Sequence, residues 1–443
     1  MNTSAYGQMA PTHKHSATEQ LAAFLASLDL TSCDTEVLAH ARNVFADTVA
    51  CMIAGLSHPQ LERLVSTLRR PGPSEHFTGL QAAPSDLALL LGFAGAALEL
   101  DEGHYAAGGH PGIHAAAAVL AQNALTPVNL DDCLMGFLVG YEAGARVGSA
   151  IRLNPAAHPH GTWGTIGAAV STAWLRGYDA NQMAAAIDVA SSLGLATSTS
   201  APIKGASVRS AWVGVAARNG MLACDLVQAG VTGEPDGCSV IYGQVLGTAF
   251  DKHVLTDRLG EYFFINDNFM KYHASCRETH GAIAALTKAV GQTRIEPDQI
   301  QRIDIETFAD AARLCDTNPV NEMAARFSIP AVVAAIILDR EVSAENLSSE
   351  RIGQPAFKAL MQRVSVTEAV DATQALPAQR ICRCLVALTD GTSLSAEVAS
   401  APGDAADPLP NDVLRRKLDM MCGRSRQSKD LVNAAHELQA LLQ

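Results

Sequence analysis

Residues 99–114, Glu-Leu-Asp-Glu-Gly-His-Tyr-Ala-Ala-Gly-Gly-His-Pro-Gly-Ile-His, concentrate side chains that can transfer protons. This glycine-rich acidic turn lies between two apolar segments, residues 84–100 and 111–123, that are predicted to be buried helices. Pro111 suits the first turn of the second helix, where no backbone N–H is lost. Burying so many ionisable groups is costly, so the cluster predicts a functional site. Taken singly, each residue has a simpler interpretation as a helix cap or a satisfied loop residue.

Three further segments have the same design. Residues 158–167 place His158 and His160 on a turn before a predicted helix, and residues 200–209 place Lys204 and Arg209 near the start of the next. Residues 271–280 place Lys271, an arginine and two histidines around a third predicted helix start. Because helix N-termini already favour anions, these clusters predict a small ligand with several carboxylates. Phosphate is less favoured, since neither a P-loop nor a strand-coupled G-x-G-x-x-G pattern occurs.

Simpler interpretations stay open for individual residues in these clusters. Lys204, taken alone, is typical of a solvated loop lysine, and His160 can be a histidine that only faces solvent. Cys276 lies beside a histidine, but nothing else in the sequence supports a cysteine or serine nucleophile. A metal site is a further alternative, but the spacing matches no standard zinc pattern, so no metal is predicted. Its ligands would be Asp101, Glu102, His104 and His110.

Composition excludes several classes of protein. A chain of 443 residues with 48% hydrophobic, 17% charged and 5% aromatic residues predicts a large helical interior and two domains. The net charge of −13 and the absence of any Lys/Arg run argue against nucleic-acid binding. Polar residues interrupt every apolar run of transmembrane length, so no membrane partner is predicted. The polar residues 1–19 lack a signal-peptide core, and the ten scattered cysteines lack C-x-x-C spacing, which together predict a cytoplasmic protein with reduced thiols.

The order of predicted elements gives a mainly α fold with an inserted α+β domain. Helices are predicted over residues 18–28, 35–56, 130–151, 164–176, 180–193 and 208–227, in addition to the two around the acidic turn. A strand is predicted over residues 300–308 and a hairpin over residues 382–398 around an Asp-Gly turn, with helices over residues 323–338 and 356–364 between them. Residues 71–84 are predicted to be a loop, and helices return over residues 410–421 and 429–442. The predicted division is a helical domain of residues 1–265 and 401–443 and an α+β domain of residues 266–400.

Four ordered motifs resemble those of the MmgE/PrpD family, which includes 2-methylcitrate dehydratase, cis-aconitate decarboxylase and iminodisuccinate epimerase. They are the acidic turn ending in His-Pro, the block His-Pro-His-Gly-Thr-Trp-Gly-Thr-Ile-Gly-Ala-Ala, the helix Arg-Ser-Ala-Trp-Val-Gly-Val-Ala-Ala-Arg-Asn-Gly and the segment from Lys271 to His280. The resemblance runs from about residue 20 to the C-terminus. It implies a large helical domain built from both chain ends, an inserted lid domain, a homodimer, and neither metal nor organic cofactor.

The resemblance also implies roles for residues of the first part of the chain. The family's acidic turn corresponds to residues 99–102, so Asp101 is expected to be catalytic and Glu99 and Glu102 to bind substrate. The catalytic histidine of its His-Pro pair corresponds to His110. Its second histidine corresponds to His158, and its basic helix-opening residue to Arg209, with Lys204 as a nearby substitute.

In the predicted lid, the family's lysine corresponds to Lys271, which is expected to act as a cationic clamp that meets the substrate when the lid is docked. Tyr272 and His280 of the same segment are expected substrate contacts. The sequence departs from the family pattern at three places. Glu and Leu replace the first Asp and the aromatic residue of the acidic turn, Arg209 replaces a lysine of decarboxylating relatives, and an alanine within residues 325–331 replaces their tyrosine. These departures leave the reaction subtype open.

The shared chemistry begins with removal of a proton alpha to a carboxylate, which needs a base and stabilisation of the developing enediolate. A histidine can serve as base or acid near neutral pH. The predicted function is that of a cofactor-independent lyase, either a dehydratase or a decarboxylase, acting on a small di- or tricarboxylate. An epimerase or isomerase of an amino- or imino-dicarboxylate such as iminodisuccinate is the alternative within enzymes. A non-catalytic carboxylate-binding protein is the alternative outside them.

Overall fold

The computed structural model of the chain describes residues 15–68 and 82–423. Three segments of the sequence analysis therefore lie outside the described residues, wholly or in large part. They are the polar N-terminal residues up to residue 14, nearly all of the predicted loop over residues 71–84 and the predicted helix over residues 429–442. Helices dominate the described part, as the alanine-rich composition predicts, so the mainly α fold class is confirmed.

The helices of the first half of the chain include every segment predicted there to be helical, with ends that shift by a few residues. They are α1 (Ala17–Ser27), α2 (Thr35–Gly55), α3 (Pro59–Leu68), α4 (Pro84–Ala97), α5 (Pro111–Leu125), α6 (Leu130–Ala150), α7 (Gly164–Leu175), α8 (Ala180–Ser191), α9 (Ser200–Ile203), α10 (Val208–Gln228), α11 (Gly237–Val240) and α12 (His253–Thr256). The later helices are α13 (His280–Val290), α14 (Ala309–Ala312), α15 (Glu322–Arg326), α16 (Ile329–Asp339), α17 (Ser349–Ile352), α18 (Pro355–Met361), α19 (Val370–Gln374) and α20 (Asn411–Gly423).

The strands are concentrated in the second half of the chain. They are β1 (Gly103–His104), β2 (Ile151–Leu153), β3 (Gly247–Phe250), β4 (Asn268–Phe269), β5 (Ile300–Thr307), β6 (Val364–Glu368), β7 (Cys382–Leu388) and β8 (Ser393–Val398). One sheet has the order β6-β5-β7-β8, with β5 and β6 parallel and the other neighbours antiparallel. The predicted strand at residues 300–308 and the predicted Asp-Gly hairpin are confirmed as β5 and as β7 with β8.

Two predictions in this half are wrong in detail. The helix predicted over residues 323–338 is divided into α15 and α16, because Ser328 lies between them and caps α16 by accepting a hydrogen bond from Ala331 N at 3.0 Å. Pro330, in the first turn of α16, has no N–H to donate. The helix predicted over residues 356–364 ends at Met361, and Val364 begins strand β6, which pairs with β5.

The described residues form two separate hydrophobic cores. The first is built from residues 21–274 and receives α20 through Leu414, Leu418 and Met421. The second is built from residues 282–386, where α13 and α16 pack with the four-stranded sheet. The return of the C-terminal helix to the first core agrees with the predicted chain order, while the domain limits at residues 265 and 400 stay a prediction.

Small residues allow the central helices of the first core to approach closely. A Cβ atom on Gly214 of α10 would lie 2.0 Å from the Leu89 carbonyl oxygen of α4. Likewise, a Cβ atom on Gly140 of α6 would lie 2.6 Å from the Gly167 carbonyl oxygen of α7. A side chain at either position would force these helices apart. They carry the two loops that build the site described below.

Helix α2 is long and apolar enough to cross a membrane by length and composition. Within the folded chain, 78% of an apolar 18-residue stretch of this helix is buried, which is typical of a core helix.

Candidate active site

A cavity of about 630 Å³ is lined by residues of both parts of the chain. The first part contributes the acidic turn, the loop before α7 and the start of α10. The second part contributes apolar side chains such as Leu314 and Phe327 together with arginines. Its ionisable lining residues include Glu99, His104, Tyr105, His110, His158, His160, Arg209, Arg277 and Arg380.

The acidic turn is a fixed loop between α4 and α5. Just after α4, Glu99 adopts a φ of +56°, a left-handed conformation that costs a residue with a side chain roughly 1–2 kcal/mol. The short strand β1 then pairs with β4, with Gly103 opposite Phe269. His104 N donates to the carbonyl oxygen of Gly109 at 2.7 Å, which closes the loop immediately before His110. The chain thereby brings His110 back beside the carboxylates that precede it.

His110 is held in one orientation by two acceptors on the same ring nitrogen. Its Nδ1 lies 3.0 Å from Asp101 Oδ2 and also contacts the carbonyl oxygen of Glu102. Burial alone would raise the pKa of Asp101, but the neighbouring His110 and Lys271 lower that pKa well below its usual range. An ionised carboxylate and a carbonyl can only accept, so Nδ1 carries a proton, and in the neutral form of the ring the lone pair is on Nε2. Because the His110 side chain is 13% exposed and lines the cavity, Nε2 is a suitable proton acceptor there.

A layer of buried charges lies behind His110. The Glu99 carboxylate contacts Arg209 directly and lies 3.4 Å from Lys271 Nζ, which is itself 3.6 Å from Asp101 Oδ1. These four side chains are at most 1% exposed. Two cations therefore balance two carboxylates, which makes the burial of all four groups tolerable. Arg209 also donates to the last turn of α4, at the Ala96 carbonyl oxygen 3.0 Å away.

Glu102 differs from the other two carboxylates because no cation of the described residues forms an ion pair with it. Gly112 N donates to its Oε1 at 2.7 Å and the Tyr141 hydroxyl contacts its Oε2 at 3.1 Å. Burial nevertheless raises the pKa of Glu102 to about 8, since these hydrogen bonds only partly offset the loss of solvent. Glu102 is thus protonated at neutral pH. It packs under the start of α5, where a Cβ atom on Gly112 would lie 2.7 Å from its Oε1.

The loop before α7 brings two more imidazoles to His110. The ring centroid of His160 lies 4.4 Å from that of His110 and 4.9 Å from that of His158. Gly161, with a φ of +81°, provides the turn that a residue with a side chain would strain. His114 joins the two loops, because its Nδ1 lies 2.9 Å from the His110 carbonyl oxygen and its Nε2 accepts from Gly161 N at 3.4 Å.

The histidines around His110 are neutral. Burial lowers the pKa of His114 to about 4 and, with Arg209 and His110 nearby, lowers the pKa values of His158 and His160 well below the usual range. His158 Nδ1 accepts from His160 N at 3.0 Å, so the proton of neutral His158 is on Nε2. The loop therefore supplies uncharged hydrogen-bond donors rather than cations.

The opposite wall of the cavity is tied to the acidic turn by a tyrosine. Arg277 Nε donates to the Tyr105 hydroxyl at 2.9 Å, and that hydroxyl donates to Asp404 Oδ1 at 2.8 Å. Arg277 also pairs with Asp404 directly. The guanidinium carbon of Arg380 lies 3.3 Å from the centroid of the Tyr105 ring, a cation–π contact. These contacts hold segments from the second part of the chain over the turn.

The predicted site residues fall into three groups. Glu99, His110, His158 and Arg209 line the cavity. Asp101, Glu102 and Lys271 are buried behind that lining. Lys204, Tyr272 and His280 do not line it. Lys204 is exposed after α9, Tyr272 is 36% exposed, and His280 is buried with its Nδ1 3.2 Å from Arg277. Of the two basic residues weighed at the start of α10, the structure places Arg209 at the cavity.

Lys271 and His160 also differ from the sequence-based interpretation. Lys271, expected to touch the substrate, is fully buried and faces Glu99 and Asp101 instead, because those carboxylates need a counter-charge away from water. The interpretation of His160 as a solvent-facing histidine is wrong, since it is 1% exposed and packs against His110. Its position two residues after His158 on the same tight turn was the available signal.

Tyr105, Arg277 and Arg380 are cavity residues that the sequence did not single out as site residues. Tyr105 lies inside the acidic turn and Arg277 inside the segment from Lys271 to His280, so their positions between predicted site residues carried a weak signal. Arg380 precedes β7 and had none, because only the folded sheet brings it over Tyr105.

The described residues contain one group with the spacing of a metal site. Asp101, His110 and His160 each place a ligand atom within 4.8 Å of the others. Arg209 donates to Nε2 of His160 and Lys271 is a counter-charge of Asp101, so buried cations already engage two of the three potential ligands. These contacts make the group a poor metal site.

The fold and the site together define a mainly α-helical protein with a cavity lined by imidazoles and arginines. The MmgE/PrpD N-terminal domain model matches residues 19–244 and the C-terminal domain model matches residues 273–440. The chain belongs to the MmgE/PrpD family. It is 23% identical to a cis-aconitate decarboxylase of Aspergillus terreus over 95% of this chain and 93% of the relative. It is 24% identical to the cis-aconitate decarboxylase-like protein oryM of Aspergillus oryzae over 92% of this chain and 90% of the relative.

Proposed function

We propose that the protein is a cofactor-independent lyase that acts on a small di- or tricarboxylate by abstracting a proton alpha to a carboxylate. The observation that carries this proposal is the orientation of His110. Its Nδ1 is fixed by Asp101 and the Glu102 carbonyl, which leaves Nε2 as a base at the cavity wall. A carboxylate that orients a catalytic imidazole in this way also favours the imidazolium that forms after proton abstraction.

The other cavity groups suit the carbanion that this base would produce. When His110 Nε2 takes the proton, the C–H electron pair moves toward the substrate carboxylate and forms an enediolate. Arg209 brings a positive charge to the same wall, and the neutral His158 carries an Nε2–H donor. Donors fixed in advance beside developing negative charge are a major source of rate enhancement in enzymes.

Decarboxylation of cis-aconitate is the first reaction to test, because the relatives named above carry that name. In decarboxylation the bond to the departing carbon dioxide supplies the electron pair, and a protonated His110 would give a proton to the resulting carbanion. As a base, His110 supports dehydration, if a β-hydroxyl leaves, and epimerisation, if the proton returns on the other face. Arg209 in place of the lysine of decarboxylating relatives bears on which of these occurs. The reaction subtype is therefore left to experiment.

The test is a panel of citrate-like, aconitate-like and iminodisuccinate-like acids followed by proton NMR in deuterated water. Loss of a hydroxyl, loss of carbon dioxide and deuterium exchange without other change identify the three reactions separately. Tight binding without any of these changes would instead support the carboxylate-binding alternative. Failure of every acid both to bind and to react would contradict the proposal.

We propose that turnover needs no metal ion, because Arg209 and Lys271 occupy the surroundings of the donor set that could hold one. Activity should survive exhaustive chelation followed by gel filtration. Recovery of an inactive chelated protein by a divalent cation would contradict this.

We also propose a homodimer, on the basis of the outer face of α10. Val208 and Leu222 are 52% and 43% exposed and lie about four turns apart along the same side of that helix. Sedimentation at micromolar concentration should give twice the chain mass, and replacing both residues by serine should shift the protein toward the monomer. A monomeric wild-type protein would refute the proposal.

A further inference from the structure

His160 lies at the centre of the cavity wall, although the predicted catalytic set omits it. It is 1% exposed and lines the cavity. Its ring is the neighbour of the His110 ring, with centroids 4.4 Å apart. Its Nε2 lies 3.2 Å from a terminal nitrogen of Arg209. His160 thus connects the base to the cation of the site.

The contact with Arg209 decides which ring nitrogen of His160 carries the proton. A guanidinium only donates hydrogen bonds, so His160 Nε2 has to accept and therefore has no proton. Burial, with Arg209 and His110 nearby, lowers the pKa of His160 well below its usual range, so the ring is neutral. A neutral imidazole without a proton on Nε2 has one on Nδ1.

This Nδ1–H has no hydrogen-bond partner among the described residues, although the atom is buried. A carboxylate oxygen of Asp101 lies within 4.8 Å of a ring nitrogen of His160 but makes no hydrogen bond with Nδ1. Leaving a buried donor unpaired costs roughly 1–3 kcal/mol. In contrast, the Nδ1 atoms of His110, His114 and His158 each have a partner. Because His160 belongs to the cavity lining and lies beside His110, an unpaired donor on its ring is suited to a ligand oxygen.

We propose that the Nδ1–H of His160 donates a hydrogen bond to the substrate carboxylate whose oxygens gain further negative charge when His110 removes the adjacent proton. His160 keeps its own proton throughout. The C–H bond breaks, the proton goes to His110 Nε2, the electron pair passes into the enediolate, and the hydrogen bond from His160 strengthens as charge grows on the oxygen. This inference rests on the proposed function and adds a residue that binds the transition state.

Two substitutions separate this role from a purely structural one. His160→Asn places an amide N–H near the position of Nδ1 but loses the acceptor for Arg209. His160→Gln places a carbonyl oxygen near the position of Nε2 but loses the donor. If the donor matters, kcat with the substrate found by the acid panel should fall ~100-fold in His160→Gln and less than ~10-fold in His160→Asn, with little change in KM.

The opposite order, an active His160→Gln and an inactive His160→Asn, would show that His160 only positions Arg209 and would overturn the proposal. Equal losses in the two variants would overturn it as well. Thermal unfolding and circular dichroism on both variants identify any loss of activity that comes from misfolding. His253→Ala, at an exposed histidine, is the control for the loss of a histidine outside the cavity.

A second measurement does not require turnover. In protein labelled with 15N histidine, the signal that His160→Gln removes should show a neutral ring protonated on Nδ1. Adding tricarballylate, an unreactive tricarboxylate, should shift that Nδ1–H signal. Protonation on Nε2, or no shift at saturating tricarballylate, would overturn the inference. Absence of turnover with every acid, while the Nδ1–H signal still responds to tricarballylate, would contradict the lyase proposal alone.

Discussion

The two faces of the acidic turn use different kinds of basic residue. On the buried face, Lys271 lies against Glu99 and Asp101, and Lys417 of α20 lies 2.5 Å from Asp47 Oδ1 and donates to the Leu100 carbonyl oxygen at 3.1 Å. Both ammonium groups are fully buried. On the cavity face, the turn presents the imidazole of His110 beside that of His160, and the cations near them and near Tyr105 are arginines. Buried lysines lie behind, and imidazoles that can hold or move a proton lie in front, together with arginines.

The difference follows from what each group does when water is removed. A lysine buried beside two carboxylates stays charged and keeps them charged, which fixes the field around His110. A buried histidine without a carboxylate loses its charge and becomes a directional hydrogen-bond donor. Changes on the cavity face should therefore reduce turnover with little loss of stability, whereas changes on the buried face should reduce stability first.

The largest effect on activity is expected from His110→Ala. This substitution removes the proposed base, so kcat should fall by ~100-fold or more. The midpoint of thermal unfolding should change little, because the side chain is at the cavity surface rather than in a core. Steady-state rates with the substrate from the acid panel, measured beside His253→Ala, give the comparison. Near-native turnover by His110→Ala would remove His110 from its role and make His158 the next candidate.

Lys271→Met tests the buried face. It leaves the Glu99 and Asp101 carboxylates short of one buried counter-charge, so the free energy of unfolding should fall by roughly 3–5 kcal/mol. Activity should fall too, since Asp101 would hold His110 in an altered field. Lys204→Met is the matched control, because Lys204 is exposed and away from the cavity. Urea unfolding of the three proteins measures the difference.

If Lys271→Met kept wild-type stability but raised KM, Lys271 would contact the substrate directly, as the sequence comparison with the family first indicated. The two faces of the turn would then not be distinct. A fall in stability with unchanged KM supports the division into a charge-fixing face and a proton-transfer face.

Sequence patterns predicted the elements well where local physics decides them. The helices on either side of the acidic turn follow from uninterrupted apolar residues and from Pro111, and the β7–β8 hairpin follows from alternation around an Asp-Gly turn. Strand β6 was missed because its five residues depend on pairing with β5, which is far away in the sequence. The short strands β1 and β4 pair across more than a hundred and sixty residues, and no local signal marks them.

The composition of the site was predicted better than its arrangement. The clusters around residues 99–110, 158–160, 209 and 271 do come together in the fold. Which members face the cavity was not predictable, because His160 and Lys271 are each surrounded by residues from other clusters. Burial, and therefore protonation, is a property of those neighbours rather than of the turn on which a residue lies.

The smallest effect is expected from Glu102→Gln, and it depends on pH. The pKa of Glu102 is raised from 4.5 in the unfolded chain to about 8 in the folded protein, mainly by burial. Between these values the folded protein holds a proton that the unfolded chain has released, so the stability that this carboxyl contributes at low pH is lost as pH rises toward 8.

Glutamine resembles the neutral carboxyl and cannot ionise. The midpoint of thermal unfolding of Glu102→Gln relative to wild type should therefore increase with pH and level off above about pH 8. The histidines of lowered pKa act on both proteins alike and cancel in this difference. Glu36→Gln, at an exposed carboxylate on α2, is the matched control for the loss of a carboxylate. A pH-independent difference for Glu102→Gln would mean that Glu102 is ionised in the folded protein, and the acidic turn would then carry a third buried negative charge beside His110.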